Sequence, residues 1–294
     1  MPKDIILSRF TGLSSELELV RALEKGDYVG HPFRGNQWAT STGASRGGDM
    51  GSSISEPVQF KVSINEDGFK FDEVGMMNFI NNQHGDRKFT ADESEAATFY
   101  ASVFWFEDIN TTLRMQGITG GSLKENSDTT TTDDDFAVIE KTINTLDNLF
   151  SKETLTDDVV VYRGVTDDDG SFRETLESEG GIMDHAYQST SLNPIVASAA
   201  QGGGMDGAMQ DGGLLMEITI PKGTHAIAVD KISGVLSQPE TVALINEGTH
   251  ATQDGYTFGA EILLPRGTAL KVVGKRTDPE LGEIWQMVAQ ETTA

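Results

Sequence analysis

Phe258-Gly259-Ala260-Glu261-Ile262-Leu263-Leu264-Pro265-Arg266-Gly267-Thr268 is the stretch on which the reading of this chain turns. One carboxylate, Glu261, opens a short apolar run, and a Pro-x-Gly sequence closes it. Apolar residues bounded by turn residues in this way predict a buried strand. The same plan stands upstream: Leu214 to Ile220 as a strand, Pro221-Lys222-Gly223 as a turn, and Ala226 to Val229 as a second strand. Downstream, Ala269 to Val273 follows the Pro265-Arg266-Gly267 turn, and Ile284 to Ala289 supplies a last strand. Ile220-Pro221-Lys222-Gly223-Thr224 and Leu264-Pro265-Arg266-Gly267-Thr268 read as one hairpin solution used twice, too short for a repeat array.

Toward the N-terminus the pattern becomes helical. Thr90-Ala91-Asp92-Glu93 has the residues of a capping box and predicts a helix running to about Arg114. Phe99, Val103, Phe106 and Leu113 form its expected buried stripe. Tyr100, Glu107 and Arg114, with Asn110 close by, share a second face that by spacing alone is a solvated one. Gly117 to Gly121 is expected to end this helix, and Thr129 to Thr132 to form a loop. Asp133-Asp134-Asp135 then opens a second helix, where acidic side chains suit the helix dipole, and Phe136, Ile139, Ile143, Leu146 and Phe150 give it a core stripe. Val159 to Tyr162 is a β-branched strand ending in Arg163-Gly164, and Asp167 to Gly170 is a turn. Tyr187 to Ser191 is another short strand, with a small-residue helix to Ala200 behind it. Helices first and strands second mean an α+β fold with a largely antiparallel sheet system.

Composition removes several classes of function. The 294 residues carry 22 Lys and Arg against 46 Asp and Glu, a net charge of -24, which argues against nucleic-acid or anionic-membrane surfaces. Cysteine is absent, so disulfides, thiolate nucleophiles and Cys-based metal sites are excluded. No two of His31, His84, His185, His225 and His250 stand at metal-ligand spacing, and no metal is expected. No segment approaches the ~20 apolar residues of a membrane span, and Met1 to Phe10 lack a signal-peptide core. The expected compartment is therefore the cytoplasm.

Two catalytic patterns fail in their context. Gly43-Ala44-Ser45-Arg46-Gly47 fits Gly-x-Ser-x-Gly without the strand and helix an elbow needs. Gly202-Gly203-Gly204-Met205-Asp206-Gly207 fits a dinucleotide fingerprint but follows a helix rather than a strand. Residues 1–57 are expected to form an arm with a short helix (Leu13, Leu17, Val20, Leu23), because Gly30 to Ser55 offer little apolar surface to offset the entropy of ordering. Within it His31-Pro32-Phe33-Arg34-Gly35-Asn36-Gln37-Trp38 resembles a segment of head-associated proteins of tailed bacteriophages, which implies a docking element and carriage in a phage particle. Residues 58–294 are expected to form the folded domain.

Arg163, Ser189-Thr190-Ser191 and Glu261 thus fall on strand ends: an anion-binding arginine, a row of hydroxyls and one carboxylate. Such a set suits a substrate that carries phosphates and develops positive charge at a sugar carbon. In this order the stretches resemble the toxin-type mono-ADP-ribosyltransferases of the arginine, Ser-Thr-Ser, glutamate class. Tyr100 and Ile109-Asn110-Thr111-Thr112-Leu113-Arg114 are similar to that family's first NAD-contacting helix, and Val161-Tyr162-Arg163-Gly164 to its arginine strand. Ser189-Thr190-Ser191 is similar to its serine motif, and Ala260-Glu261 through Thr268 to its glutamate strand. The resemblance spans about Lys70 to Val273. It implies two roughly perpendicular sheets flanked by helices, with NAD as substrate in the cleft between them.

The resemblance also implies roles: Arg163 on the NAD diphosphate, Tyr100, Asn110 and Arg114 among the NAD contacts, and Gly164, Thr190 and Ser191 lining the substrate. Ser189 would orient Glu261, and Glu261 would stabilise the cation formed as nicotinamide leaves. One position departs from the family pattern: Gly259 stands where Glu or Gln usually precedes the catalytic glutamate by two residues. The expected reaction is transfer of ADP-ribose to a protein or nucleic-acid acceptor in a host or target cell, with residues 247–258 near the acceptor and Glu247, Asp254 or Tyr256 as substitutes for the missing group. NAD hydrolysis, or a silent particle component that keeps the fold, are the alternatives.

Overall fold

The computed structural model describes residues 56–60, 63–65, 68–70, 72–101, 105–127, 131–167, 170–199, 213–237, 259–279 and 281–290. Residues 1–55, where most of the expected arm falls with its expected short helix, the His31–Trp38 segment and the Gly-x-Ser-x-Gly, lie outside them, as do the glycine-rich run at 202–207 and residues 247–258, expected near the acceptor.

Helices come first. Helix α1 spans Glu73–Asn82 and begins where the Asp72 side chain accepts from the Gly75 N–H. Helix α2, Ala91–Ala101, opens on the expected capping box: Thr90 Oγ1 accepts from the Glu93 N–H, and Glu93 Oε2 from the Thr90 N–H. Helix α3 is Phe106–Thr119, α4 is Leu123–Asn126 and α5 is Asp133–Phe150. In α5 the aspartates fill the first turn and the expected stripe is buried. Three shorter helices follow: α6 at Ser171–Glu179, α7 at Pro194–Ala199 and α8 at Val229–Ile232. Among the described residues no helix is long and apolar enough to cross a membrane.

The helix predicted from Thr90 to Arg114 is two helices. Phe99 stacks on Trp105 with ring centroids 4.6 Å apart. Residues six apart on a continuous helix would be about 9 Å apart along its axis and on different faces. In α2 the expected faces are exchanged, with Tyr100 1% exposed in the core and Phe99 partly covered, whereas Leu113 in α3 is buried as expected. The end of α3 comes at Gly120, in the left-handed conformation at φ 71, so Gly117 lies inside the helix.

Strands β1 (Ser63–Asn65) and β2 (Gly68–Lys70) form a separate antiparallel pair. The main sheet uses β3 (Val159–Thr166), β4 (Gly181–Met183), β5 (Gln188–Ser191), β6 (Gly213–Ile220), β7 (Ile227–Ala228), β8 (Glu261–Leu264), β9 (Ala269–Asp278) and β10 (Gly282–Gln290). Their order is β4-β9-β10-β6-β3-β5-β8-β7, antiparallel except for β6 and β10. The α+β, mostly antiparallel expectation is met, but in one hydrogen-bonded sheet rather than two. The link between β3 and β5 is a single register pair, Tyr162 with Ser191. Across it, Ile262 and Leu264 share a core with Val159, Val161, Met216 and Ile218. The sheet therefore folds over its own core, which takes the place of the two sheets that the resemblance implies.

The two Pro-x-Gly turns are not hairpins. β6 neighbours β3 and β10, whereas β7 pairs with β8; β8 in turn neighbours β5 and β7, whereas β9 pairs with β4 and β10. Each turn carries the chain from one half of the sheet to the other, helped by glycines at positive φ, Gly223 at 87 and Gly267 at 79. β3 also continues past Tyr162 to Thr166, which puts Arg163 and Gly164 inside the strand, and Ala226 to Val229 passes almost at once into α8. Asp167, read as part of a turn, accepts from the Phe172 and Arg173 N–H groups at the start of α6.

Candidate active site

Strand alternation builds the first half of the site. Ser189, Ser191, Glu261 and Leu263 share one face of the β5–β8 pair, with Ser189 opposite Leu263 and Ser191 opposite Glu261. Thr190 faces the core and its hydroxyl donates to the Ile262 carbonyl at 2.5 Å. The Ser191 hydroxyl donates to the Gly259 carbonyl at 2.5 Å and accepts from the Asn193 N–H at 2.9 Å. Thr190 and Ser191 thus hold the backbone around Glu261. The Ser189 hydroxyl faces the Glu261 carboxyl and favours its ionised form.

Behind Ser189 stands a row of buried groups. Its Oγ is 3.2 Å from the Tyr100 hydroxyl, and Asn110 Nδ2 donates to that hydroxyl at 3.0 Å. On a straight helix residues 100 and 110 would lie about 15 Å apart; the break between α2 and α3 brings them into contact. Asn110 Oδ1 is buried and accepts no hydrogen bond from the described residues. A buried acceptor without a donor costs roughly 1–3 kcal/mol, so a substrate N–H or O–H at this point would be held favourably.

The second half of the site centres on Arg163. Its NH1 donates to the Ser189 carbonyl at 2.8 Å, and its NH2 lies 3.9 Å from Asp184 Oδ2. Asp184 takes both donors of the Arg114 fork, Nε at 3.1 Å and NH2 at 3.0 Å, and its Oδ1 accepts from the Ala186 N–H at 2.9 Å. The Asp184 carbonyl accepts from Gly267 N–H at 2.8 Å, so the turn after β8 fixes this carboxylate. Two guanidiniums are in this way held side by side by one carboxylate, an arrangement suited to phosphate oxygens.

Electrostatics divides the carboxylates. Burial, and then the nearby Asp230, push Glu261 up to about 7, against the opposing pull of Ser189 and Arg163. Burial works in the same direction on Asp184, but Arg114 and Arg163 outweigh it and hold that carboxyl below its ordinary range. Burial raises Tyr100 to about 12, with Glu261 adding to the effect, so it is a neutral phenol that can donate.

The structure therefore brings Tyr100, Asn110, Arg163, Ser189 and Glu261 into one cluster, with Arg114 joined through Asp184. Gly164 lies next to Arg163 in β3, opposite Leu215. Two members were missed from sequence: Asp184, which has no pattern around it, and Asp230, which the apolar run Ala226 to Val229 hides at a strand–helix junction. Among the described residues no group of three or more His, Asp or Glu side chains gathers as a metal site would require.

Comparison with known proteins bears on this geometry. Among solved structures, the Vis toxin, an ADP-ribosyltransferase from Vibrio splendidus, aligns in one of its inhibitor complexes with a TM-score of 0.50 at 19% identity, over 76% of this chain and 84% of that one. The Clostridium limosum C3 exoenzyme aligns at 0.48 and 18% identity, over 80% of this chain and 98% of that one. The C3stau2 structure from S. aureus with NAD aligns at 0.48 and 19%, over 80% and 100%. At these identities the likeness extends to the fold and no further. No curated protein matches the sequence. The family model of the ADP-ribosyltransferase exoenzyme, by contrast, matches residues 79–292, from the end of α1 to just past β10. That span takes in the arginine strand, the hydroxyl row and the glutamate strand together, and by it the chain belongs to the ADP-ribosyltransferase exoenzyme family.

Proposed function

We propose that this NAD-dependent ADP-ribosyltransferase cleaves the nicotinamide–ribose bond at Glu261 and passes ADP-ribose to a protein acceptor. The observation that carries the assignment of residues is the hydrogen-bonded series Asn110, Tyr100, Ser189, which faces Glu261 beside Arg163. As the bond breaks, its electron pair leaves with nicotinamide and the ribose carbon becomes positive. An ionised Glu261 beside that carbon stabilises the charge. Ser189 holds the carboxylate by donating to it, and Tyr100 and Asn110 hold Ser189. Arg163 and Arg114 hold the diphosphate, so that cleavage happens to a positioned substrate. The acceptor, or water, then supplies an electron pair to the ribose carbon and releases a proton.

Gly259 favours a second reading alongside the first, NAD hydrolysis. It offers no side chain to orient an acceptor, although an added Cβ would meet nothing nearer than Glu261 Cβ at 3.9 Å. The test is incubation of the full chain with labelled NAD, with and without a cell lysate. Label on a protein supports transfer, whereas nicotinamide release at the same rate without lysate supports hydrolysis. Undiminished reaction by Glu261→Ala would sink the mechanism in both forms.

A further inference from the structure

Asp230 is the second residue of α8 and is 4% exposed. Its Oδ2 accepts the backbone N–H of Glu261 at 2.8 Å. Directly before that N–H stands Ala260 at φ 45, in a left-handed conformation that an alanine adopts only at a cost of about 1–2 kcal/mol. Such a conformation persists where the surroundings over-determine it. Here they do: Leu192 N–H donates to the Ala260 carbonyl at 3.0 Å, Ser191 holds the Gly259 carbonyl, and Asp230 holds the peptide that follows.

α8 is itself anchored. Lys231 Nζ donates to the carbonyls of Asn81, Gln83 and Gly85 at the end of α1, and the Ala228 N–H donates to His84 Nε2 at 2.9 Å. Asp230 thus acts from a fixed base. Among the described residues the groups that face Glu261 are Asp230 from α8, Arg163 from β3, Ser189 from β5 and Tyr100 from α2. Of these Asp230 is the one carboxylate, and its charge opposes ionisation of Glu261 while Arg163 and Ser189 favour it.

We propose that Asp230 is a positioning residue for Glu261: it fixes the first peptide of the catalytic strand through a backbone hydrogen bond and sets a second negative charge behind the catalytic carboxyl. The proposal rests on Glu261 being the carboxylate that meets the reacting ribose. It makes the free site reluctant to carry two negative charges, and a positive centre arriving in the cleft relieves that reluctance.

The experiment uses the full chain labelled with 13C-carboxyl glutamate, the Glu261 signal being assigned by its absence from Glu261→Gln. The expected midpoint is about 7 in the natural protein, moving down by roughly one pH unit or more in Asp230→Asn. In parallel, nicotinamide release from NAD is followed against pH. The acid limb of kcat/KM moves with the midpoint, since it reports the free enzyme. Asp230→Ala, which also loses the backbone acceptor, loses on the order of tenfold more kcat than Asp230→Asn. A natural midpoint near the ordinary 4.5 overturns the proposal without any variant. So does a midpoint that Asp230→Asn leaves in place, or an equal loss of kcat in the two variants. A displaced midpoint in a protein that releases no nicotinamide supports the proposal and sinks the assignment of function instead.

Discussion

Arg163 has two carboxylate neighbours. Asp184 is tied by both donors of Arg114 and by the Ala186 N–H, and it is held ionised. Glu261 faces a hydroxyl and a second carboxylate, in Asp230, and burial with that carboxylate pushes it up to about 7. The difference is one of partners rather than of burial, which works against ionisation in both. A carboxylate matched by a guanidinium fork is a structural charge whose task is to order its partners. One kept short of cationic partners ionises less readily, and a positive centre brought by a substrate favours its charged form. Under the proposed function, binding and chemistry divide between the two neighbours of a single arginine.

That division can be broken most directly at Glu261. Glu261→Gln is expected to lower kcat for nicotinamide release by about 10²–10³-fold or more, in the range of lost transition-state electrostatics, with little change in KM. Asp184→Ala is expected to do the reverse, raising KM for NAD by roughly tenfold as the two guanidiniums lose their common partner, with a smaller fall in kcat. Steady-state kinetics on both variants measures the split, and an Asp184 effect confined to kcat would erase the distinction.

Stability against pH sharpens the same comparison, because the two signs differ. Glu261 is raised from 4.5 to about 7, so the folded state binds the extra proton and stability falls as pH rises through that window. Glu261→Gln is therefore expected to raise Tm at pH 8 by a few degrees, on the order of 1–2 kcal/mol, and to gain less at pH 5. Asp184 is lowered from 3.8, so its contribution is present above that value and lost as pH falls through its folded value. Asp184→Asn is expected to lose stability near neutrality and to flatten the acid limb of the Tm profile. The smallest effect is expected at Gly259→Gln, where among the described residues an added Cβ meets only Glu261 Cβ at ordinary contact distance: nicotinamide release within about twofold of the natural protein and an altered yield of labelled acceptor. A large loss of release would mean that Gly259 belongs to the chemistry.

Much of the site was legible because its chemistry uses rare arrangements. A lone carboxylate opening an apolar strand, a Ser-Thr-Ser strand and an arginine behind a β-branched run stand out from their surroundings. The stripe of α5 was legible because periodicity reports burial directly. Partner choice was not. Nothing in Ile220 to Thr224 or Leu264 to Thr268 tells whether the chain folds back on itself or crosses to the other half of the sheet, since the turn residues answer to local φ alone. The row Tyr100, Asn110, Arg114 was picked out on the assumption of one helix, yet it meets at the site because that helix is broken beside the Phe99–Trp105 stack. Asp184 and Asp230 gave no signal, because their importance lies in what reaches them from distant strands and helices.

The small half of the sheet has a consequence for how the enzyme comes into being. β5, β7 and β8 are drawn from residues 188–191, 227–228 and 261–264, and Ser189 meets Leu263 across more than seventy intervening positions. Contacts so distant along the chain form only after large loops have closed, which makes them slow. The helices, with their caps and local stripes, can form long before. The hydroxyl, the arginine and the opposing carboxylate around Glu261 therefore come together only once such long-range pairings have closed, as in the rest of the sheet.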